Sequence, residues 1–173
     1  MCSTDSKEYI MKTLALALAT ALLANPATVL SHGNKDHDDL PKAAIAREQK
    51  PWGITGDASA ARRIITLDMA DSMRFTPGRI TVKRGETVRL RVANRGQILH
   101  EIVLGTPASL EEHAQMMLKF PTMEHGEPYM AHVLPGESGD LLWKFNREGS
   151  FDFACLIPGH YQAGMRGTIT VTP

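Results

Sequence analysis

The chain has 173 residues, 43% of them hydrophobic, and its 19 Lys and Arg residues balance its 19 Asp and Glu residues. Such a balance gives no electrostatic reason to expect a nucleic-acid partner or binding to a membrane surface. Beyond an apolar N-terminal run, the length suffices for one domain with a core of ordinary size.

Residues 1–31 are predicted to form a signal peptide. Its apolar core, residues 14–23, is Leu, Ala and Thr, which is long enough for export and too short to span a bilayer. The acidic residues before this core fit poorly, so translation is expected to start at Met11. Cleavage is expected after Ser31, and Cys2 precedes the core, where it cannot carry a lipid. We therefore predict a periplasmic protein without a membrane anchor.

A polar segment follows the predicted signal peptide. Residues 32–61 are interrupted by Gly and Pro and contain His32, His37 and several aspartates, so we predict a flexible arm. From residue 62 to residue 173, short β-type runs alternate with turn residues, which predicts a single domain.

The strands predicted in this domain fall into two groups. They are the runs 62–68, 73–76, 79–83, 87–93 and 98–104, and then 140–146, 150–156 and 167–172. Val88, Leu90 and Val92 alternate strictly with polar residues, which indicates a half-buried strand of an antiparallel sheet. Many short strands at this spacing predict an all-β sandwich.

A helical insertion separates the two groups of strands, at about residues 106–135. Ser109-Leu-Glu-Glu112 has the spacing of a capping box and predicts a helix that ends near Phe120, before Pro121. The insertion is rich in methionine and histidine, and these residues are His113, Met116, Met117, Met123, His125, Met130 and His132.

The most informative motif is the loop Cys155-Leu-Ile-Pro-Gly-His160-Tyr-Gln-Ala-Gly-Met165. It supplies a thiolate, an imidazole and a thioether, and His100 lies on an upstream apolar run. Two His, one Cys and a weak axial Met are the ligands of a mononuclear blue-copper site. Taken singly, each residue is better explained as core packing. Their order and spacing together predict one copper ion bound by His100, Cys155, His160 and Met165.

The chain resembles the cupredoxin family, which includes plastocyanin, azurin and pseudoazurin, over about residues 62–173. The resemblance depends on the motif at residues 75–88, on His100 and on the Cys155-x4-His160-x4-Met165 spacing. It implies a Greek-key β-sandwich with copper beneath a loop-rich end, and electron transfer through His160.

Two positions depart from the pattern of this family. Many small cupredoxins follow the first His with Asn or Ser, whose side chain ties the two ligand loops together. Glu101 stands there instead, and its carboxylate is expected to alter the geometry and potential of the copper. Multicopper oxidases place His on both sides of the Cys, where this chain has Ala154 and Leu156. We therefore predict no enzymatic activity, with a small Cu(I) oxidase as the weakest alternative.

Residues outside this ligand set predict auxiliary copper binding. Thioethers accompanied by imidazoles suit Cu(I) capture in an oxidising compartment. A free amino terminus at His32 would chelate Cu(II) with help from His37. The candidates are Met123, His125 and Met130, then Met117, His132, His32 and His37. Helix packing and a solvated polar tail are the alternatives.

The whole pattern is most similar to the periplasmic copper-tolerance cupredoxins of Gram-negative bacteria, which have a His-bearing arm and a Met/His-rich insertion. The resemblance implies a type 1 copper protein that contributes to copper tolerance by binding copper and cycling it between Cu(II) and Cu(I). Its partners would be copper ions and a periplasmic redox or copper-transfer protein. The alternative function is an electron shuttle between respiratory or oxidase partners.

Overall fold

A computed structural model of the chain describes residues 47–123 and 125–173. The predicted signal peptide, the start at Met11, and His32 and His37 of the predicted arm lie outside the described residues. The strands are β1 (Ile54–Thr55), β2 (Arg63–Ala70), β3 (Arg74–Thr76), β4 (Arg79–Lys83), β5 (Thr87–Asn94), β6 (His100–Gly105), β7 (Met130–Val133), β8 (Ser138–Lys144), β9 (Gly149–Ala154) and β10 (Arg166–Thr172). The α-helix α1 spans Pro107–Lys119, and a 3-10 turn spans Ala58–Ala60.

The strands form two five-stranded sheets, which confirms the predicted all-β sandwich. One sheet has the order β1-β8-β5-β2-β3 and the other the order β4-β10-β9-β6-β7. Pairing is antiparallel except between β2 and β5 and between β4 and β10. Strand β5 therefore lies in a mixed sheet, whereas its alternation predicted an antiparallel one. An alternation of period two indicates that one face is buried, but it does not indicate the direction of the neighbouring strands.

The core fills the space between the two sheets. Val88, Leu90 and Val92 of β5 are fully buried, as their alternation predicts. Trp143 and Phe153 face the same core, and the ring of Phe153 meets Phe75 edge to face at 5.0 Å between centroids. Burial of large aromatic side chains contributes strongly to the stability of a domain of this size. The strands β6 and β9 are therefore anchored by packing against this core.

Helix α1 covers the outer side of β6 and β9. Leu110, Ala114 and Met117 form a second, smaller cluster there with Val103 and other buried residues. The helix begins two residues before the predicted capping box, because Thr106 is the N-cap and exchanges hydrogen bonds with Ser109. Pro at the first helical position favours this earlier start, since its fixed φ suits the helix. Within the described ranges, no helix has the length and apolar character that crossing a membrane requires.

The structure differs from the predicted flexible arm over its C-terminal part. Trp52 is 7% exposed, and its carbonyl accepts a hydrogen bond of 2.9 Å from Nε1 of Trp143. Its ring also contacts Tyr129 edge to face at 5.3 Å between centroids. Strand β1 follows directly and pairs with β8. Residues 52–55 therefore belong to the domain, because burying one indole outweighs the turn-rich composition around it.

Candidate metal centre

The first histidine and the ligand loop meet where three adjacent strands begin or end. His100 is the first residue of β6, Cys155 follows β9, and Met165 precedes β10. The loop is closed by main-chain bonds, since the N–H of Cys155 donates to the carbonyl of Met165 at 3.0 Å. The N–H of Met165 in turn donates to the carbonyl of His160 at 3.0 Å. These bonds hold the two ends of the loop together beside His100.

Three of the four predicted ligands bring their donor atoms together. The ligand atoms of His100, Cys155 and His160 all lie within 4.8 Å of one another. Sγ of Cys155 is 3.3 Å from Nδ1 of His160, and the two imidazole rings are 5.0 Å apart between centroids. Met165 is fully buried in the same core cluster as Cys155. Sulfur and nitrogen ligands of one metal ion have separations of this size.

His100 is held by a carboxylate that the sequence did not single out. Its Nε2 donates to Oδ1 of Asp71 at 3.0 Å, while Oδ2 of Asp71 accepts the N–H of Gln97 at 2.8 Å. These N–H groups, first that of Gln97, lower the pKa of Asp71. Nδ1 of His100 is buried and has no hydrogen-bond partner among the residues described. An imidazole fixed in this way offers its free nitrogen to a metal ion.

Burial sets the protonation states of the other donors. It raises the pKa of the Cys155 thiol to about 12, and it lowers the pKa of His160, with a further contribution from the nearby His100. The site therefore holds a thiol and a neutral imidazole at neutral pH, and a metal ion must displace the thiol proton. A soft thiolate, two imidazoles and a buried thioether fit copper, which accepts these ligands in both oxidation states.

Glu101 provides the tie between the two ligand-bearing segments. The residue is fully buried, and its Oε1 accepts the N–H of Leu156 at 2.7 Å. The carboxylate thus joins β6, next to His100, to Leu156, the residue after Cys155. Its other oxygen, Oε2, lies 2.8 Å from Nε2 of His132. Burial raises the pKa of Glu101, and the nearby His132 acts in the opposite direction.

The auxiliary candidates separate into packed and open residues. Met117 and Met130 are 5% and 7% exposed and pack in the cluster beneath α1, which favours the packing interpretation for both. Met123 is 38% exposed, and His125 and His132 lie near it on one side of the molecule. Nε2 of His125 also lies 3.0 Å from Nε2 of His113 in α1. His113 was noted in the insertion but was not among the predicted ligands.

Comparison with known proteins supports a copper-binding family. Residues 63–172 match the family model described as copper binding proteins, plastocyanin/azurin family. The chain is 48% identical over 166 residues to the copper-resistant cuproprotein CopI of Rubrivivax gelatinosus, covering 95% of this chain and 99% of that protein. It is 38% identical over 151 residues to the copper-resistant cuproprotein CopI of Pseudomonas aeruginosa, covering 70% of this chain and 83% of that protein.

Solved structures agree on the fold. Auracyanin from the photosynthetic bacterium Roseiflexus castenholzii superposes with a TM-score of 0.56 at 21% identity. The match covers 66% of this chain and 99% of that chain. At this identity the likeness supports the two-sheet architecture only.

Proposed function

The chain belongs to the plastocyanin/azurin family of copper-binding proteins, and from this we propose that it is a periplasmic type 1 copper protein that contributes to copper tolerance. The ligands would be His100, Cys155, His160 and Met165. The observation that carries the proposal is the convergence of the first three donor atoms within 4.8 Å of one another, beside the buried Met165. Copper bound there would supply one-electron redox chemistry.

The residues around the donors prepare the site for that chemistry. Asp71 fixes the ring of His100, and Glu101 fixes the loop after Cys155, so the donors need not move when the charge of the ion changes. Cys155 is fully buried, which keeps water from its sulfur. His160 is partly exposed and is the donor through which electrons would enter or leave.

Copper tolerance is favoured over a general redox role by the relatives. The two proteins named CopI are both described as copper-resistant, and the first matches this chain over almost its full length. We infer that this chain limits copper toxicity in the periplasm by binding copper and by cycling it between Cu(II) and Cu(I).

An electron shuttle is the second candidate function, and one observation favours it. Leu99 is 39% exposed and Leu134 is 54% exposed, and both line a surface groove with Pro158 of the ligand loop. Apolar side chains beside a partly exposed ligand suit a transient protein partner. A shuttle requires fast electron exchange with such a partner and expression that does not depend on copper.

The test replaces Cys155 and measures both the absorption of the copper-loaded protein and the copper tolerance of a strain that carries the variant. Copper-loaded Cys155→Ser should lose the intense thiolate-to-copper absorption, and a strain that carries only this variant should be as copper-sensitive as a deletion strain. Ser150→Ala, an exposed position on β9, is the control and should retain both properties. Absorption that survives in Cys155→Ser would overturn the ligand assignment. Full copper tolerance without the absorption would overturn the role of this site in tolerance.

A further inference from the structure

We propose that the insertion carries a second metal site, which binds Cu(II) through His113, His125, His132 and Glu101. We call these four residues the histidine cluster. They come from α1, the loop after it, β7 and β6 respectively, so the fold and not a sequence motif brings them together. The site shares no ligand with the type 1 centre, and its existence does not depend on that centre.

The donor atoms of the histidine cluster lie in two close pairs, His113 with His125 and His132 with Glu101, which a bound ion would draw together. Nε2 of His113 and Nε2 of His125 are 3.0 Å apart, and metal–nitrogen bonds of about 2.0–2.1 Å place two such nitrogens about 3 Å from each other. The two ring centroids are 4.9 Å apart, and those of His125 and His132 are 5.8 Å apart. The histidines of the type 1 centre, by comparison, are 5.0 Å apart.

The hydrogen bonds of His125 leave one of its nitrogens free for a metal ion. Its Nδ1 lies 2.9 Å from the carbonyl of Met123, and only a protonated Nδ1 can donate to that oxygen. In the neutral tautomer with Nδ1 protonated, Nε2 of His125 carries no proton and can accept from Nε2 of His113. A metal ion between the two rings would replace that shared proton, while the Met123 carbonyl continues to orient His125.

Glu101 supplies a negative charge that the protein alone neutralises poorly. Its carboxylate is 1% exposed, and over the described part of the chain Oε2 makes no hydrogen bond of good geometry, although Nε2 of His132 is 2.8 Å away. A buried carboxylate without a full partner is costly. A divalent ion next to Oε2 would remove that cost, and an ion can reach it because a groove of about 620 Å³ is lined by Glu101, His125 and His132.

The donor set identifies the class of ion. Three imidazoles and a carboxylate, without thiolate, suit borderline divalent cations, and for nitrogen and oxygen ligands Cu(II) binds more tightly than the other first-row ions. The soft thioethers of Met117 and Met130 face the core instead. The cluster therefore takes Cu(II), in contrast to the Cu(I) capture that the methionines of the insertion suggest.

Stoichiometry tests the cluster in the full chain with its type 1 copper in place. His125→Ala and His113→Ala should each bind one Cu(II) fewer than wild type in equilibrium dialysis, and should lose the corresponding electron paramagnetic resonance signal. Glu112→Gln, an exposed neighbour of His113 on α1, is the matched control and should bind as wild type does. Retention of the type 1 absorption in all variants shows that they are folded.

Two results would overturn the proposal. The first is an equal number of bound Cu(II) ions in wild type and His125→Ala. The second is the loss of one ion in Met123→Leu with full binding in His113→Ala, since a thioether site would then explain the binding. The type 1 absorption reports separately on the proposed function, so failure of one assignment is distinguishable from failure of the other.

Discussion

Two substitutions of Glu101 distinguish its hydrogen bond to Leu156, called the tie here, from the negative charge of its carboxylate. In Glu101→Gln the side-chain oxygen can still accept the N–H of Leu156, while the charge is removed. In Glu101→Ala both are lost, and the N–H of Leu156 is left without its partner in a place where Leu156 is 1% exposed. The two variants therefore differ mainly in the tie.

The structure gives the direction and size of both effects. A hydrogen bond to a charged group contributes about 1.5–3 kcal/mol, and a buried N–H left unpaired costs about 1–3 kcal/mol, so Glu101→Ala should lower the free energy of unfolding by about 2–3 kcal/mol. Burial raises the pKa of Glu101, which means that the folded protein disfavours the ionised form relative to water. At pH 7 Glu101→Gln should thus be at least as stable as wild type.

Urea unfolding of the metal-free protein measures both differences. The copper-loaded variants provide a second reading, because the tie holds the residue after Cys155 against the strand of His100. The type 1 absorption should shift in Glu101→Ala and persist in Glu101→Gln. Equal destabilisation of the two variants would refute the argument, since charge and not the tie to Leu156 would then be what the fold requires.

Three further predictions concern the ligands and their loop. Asp71→Asn leaves one acceptor oxygen where His100 and a main-chain amide now use two, so copper affinity should fall about 10- to 100-fold in a chelator competition. Unchanged affinity would contradict the orienting role of this carboxylate. Gly167→Ala would place a Cβ 2.6 Å from a main-chain carbonyl oxygen and against an aromatic ring, so urea unfolding should show a loss of about 1–3 kcal/mol. Gly126→Ala has open space around its Cβ and is the control; equal stability of the two would count against the reasoning. Because burial raises the pKa of Cys155 to about 12, copper displaces one thiol proton throughout the neutral range. Copper affinity, corrected for protonation of the chelator, should therefore rise about tenfold per pH unit between roughly pH 7 and 9, and a flat profile would contradict a thiol ligand.

The sequence predicted the parts of the fold that local pattern determines. The alternation in β5 identified its buried face, and the spacing of turns identified a two-sheet domain. The direction of the strands paired with β5 could not be predicted, because a buried face looks the same beside a parallel or an antiparallel neighbour. The burial of Trp52 was missed for a similar reason. One large side chain inside a turn-rich segment gives no periodic signal, and its partner Trp143 is 91 residues away.

The ligand loop was visible in the sequence because three of its donors lie within eleven residues. The groups that orient the donors were not visible. Asp71 is 29 residues from His100 in the chain, and an isolated aspartate in a turn carries no mark of its role. The contact between His113 and His125 likewise depends on where the loop after α1 returns, which follows from packing of the helix on β6 and β9.

Glu101 shows both what the sequence could predict and what only the folded structure reveals. Its departure from Asn or Ser was evident in the sequence and suggested a perturbed copper site, whereas the structure adds the two contacts that join it to Leu156 and to His132. One oxygen ties the ligand loop, which a neutral acceptor could also do. The other lies 2.8 Å from Nε2 of His132, because the register of β6 and β7 pairs Glu101 directly with His132. Cross-strand partners on adjacent strands share a face, so this pairing follows from the insertion returning to the sheet as β7. A carboxylate at this position therefore links the insertion to the residue next to Cys155, and the proposed second metal ion would balance its charge.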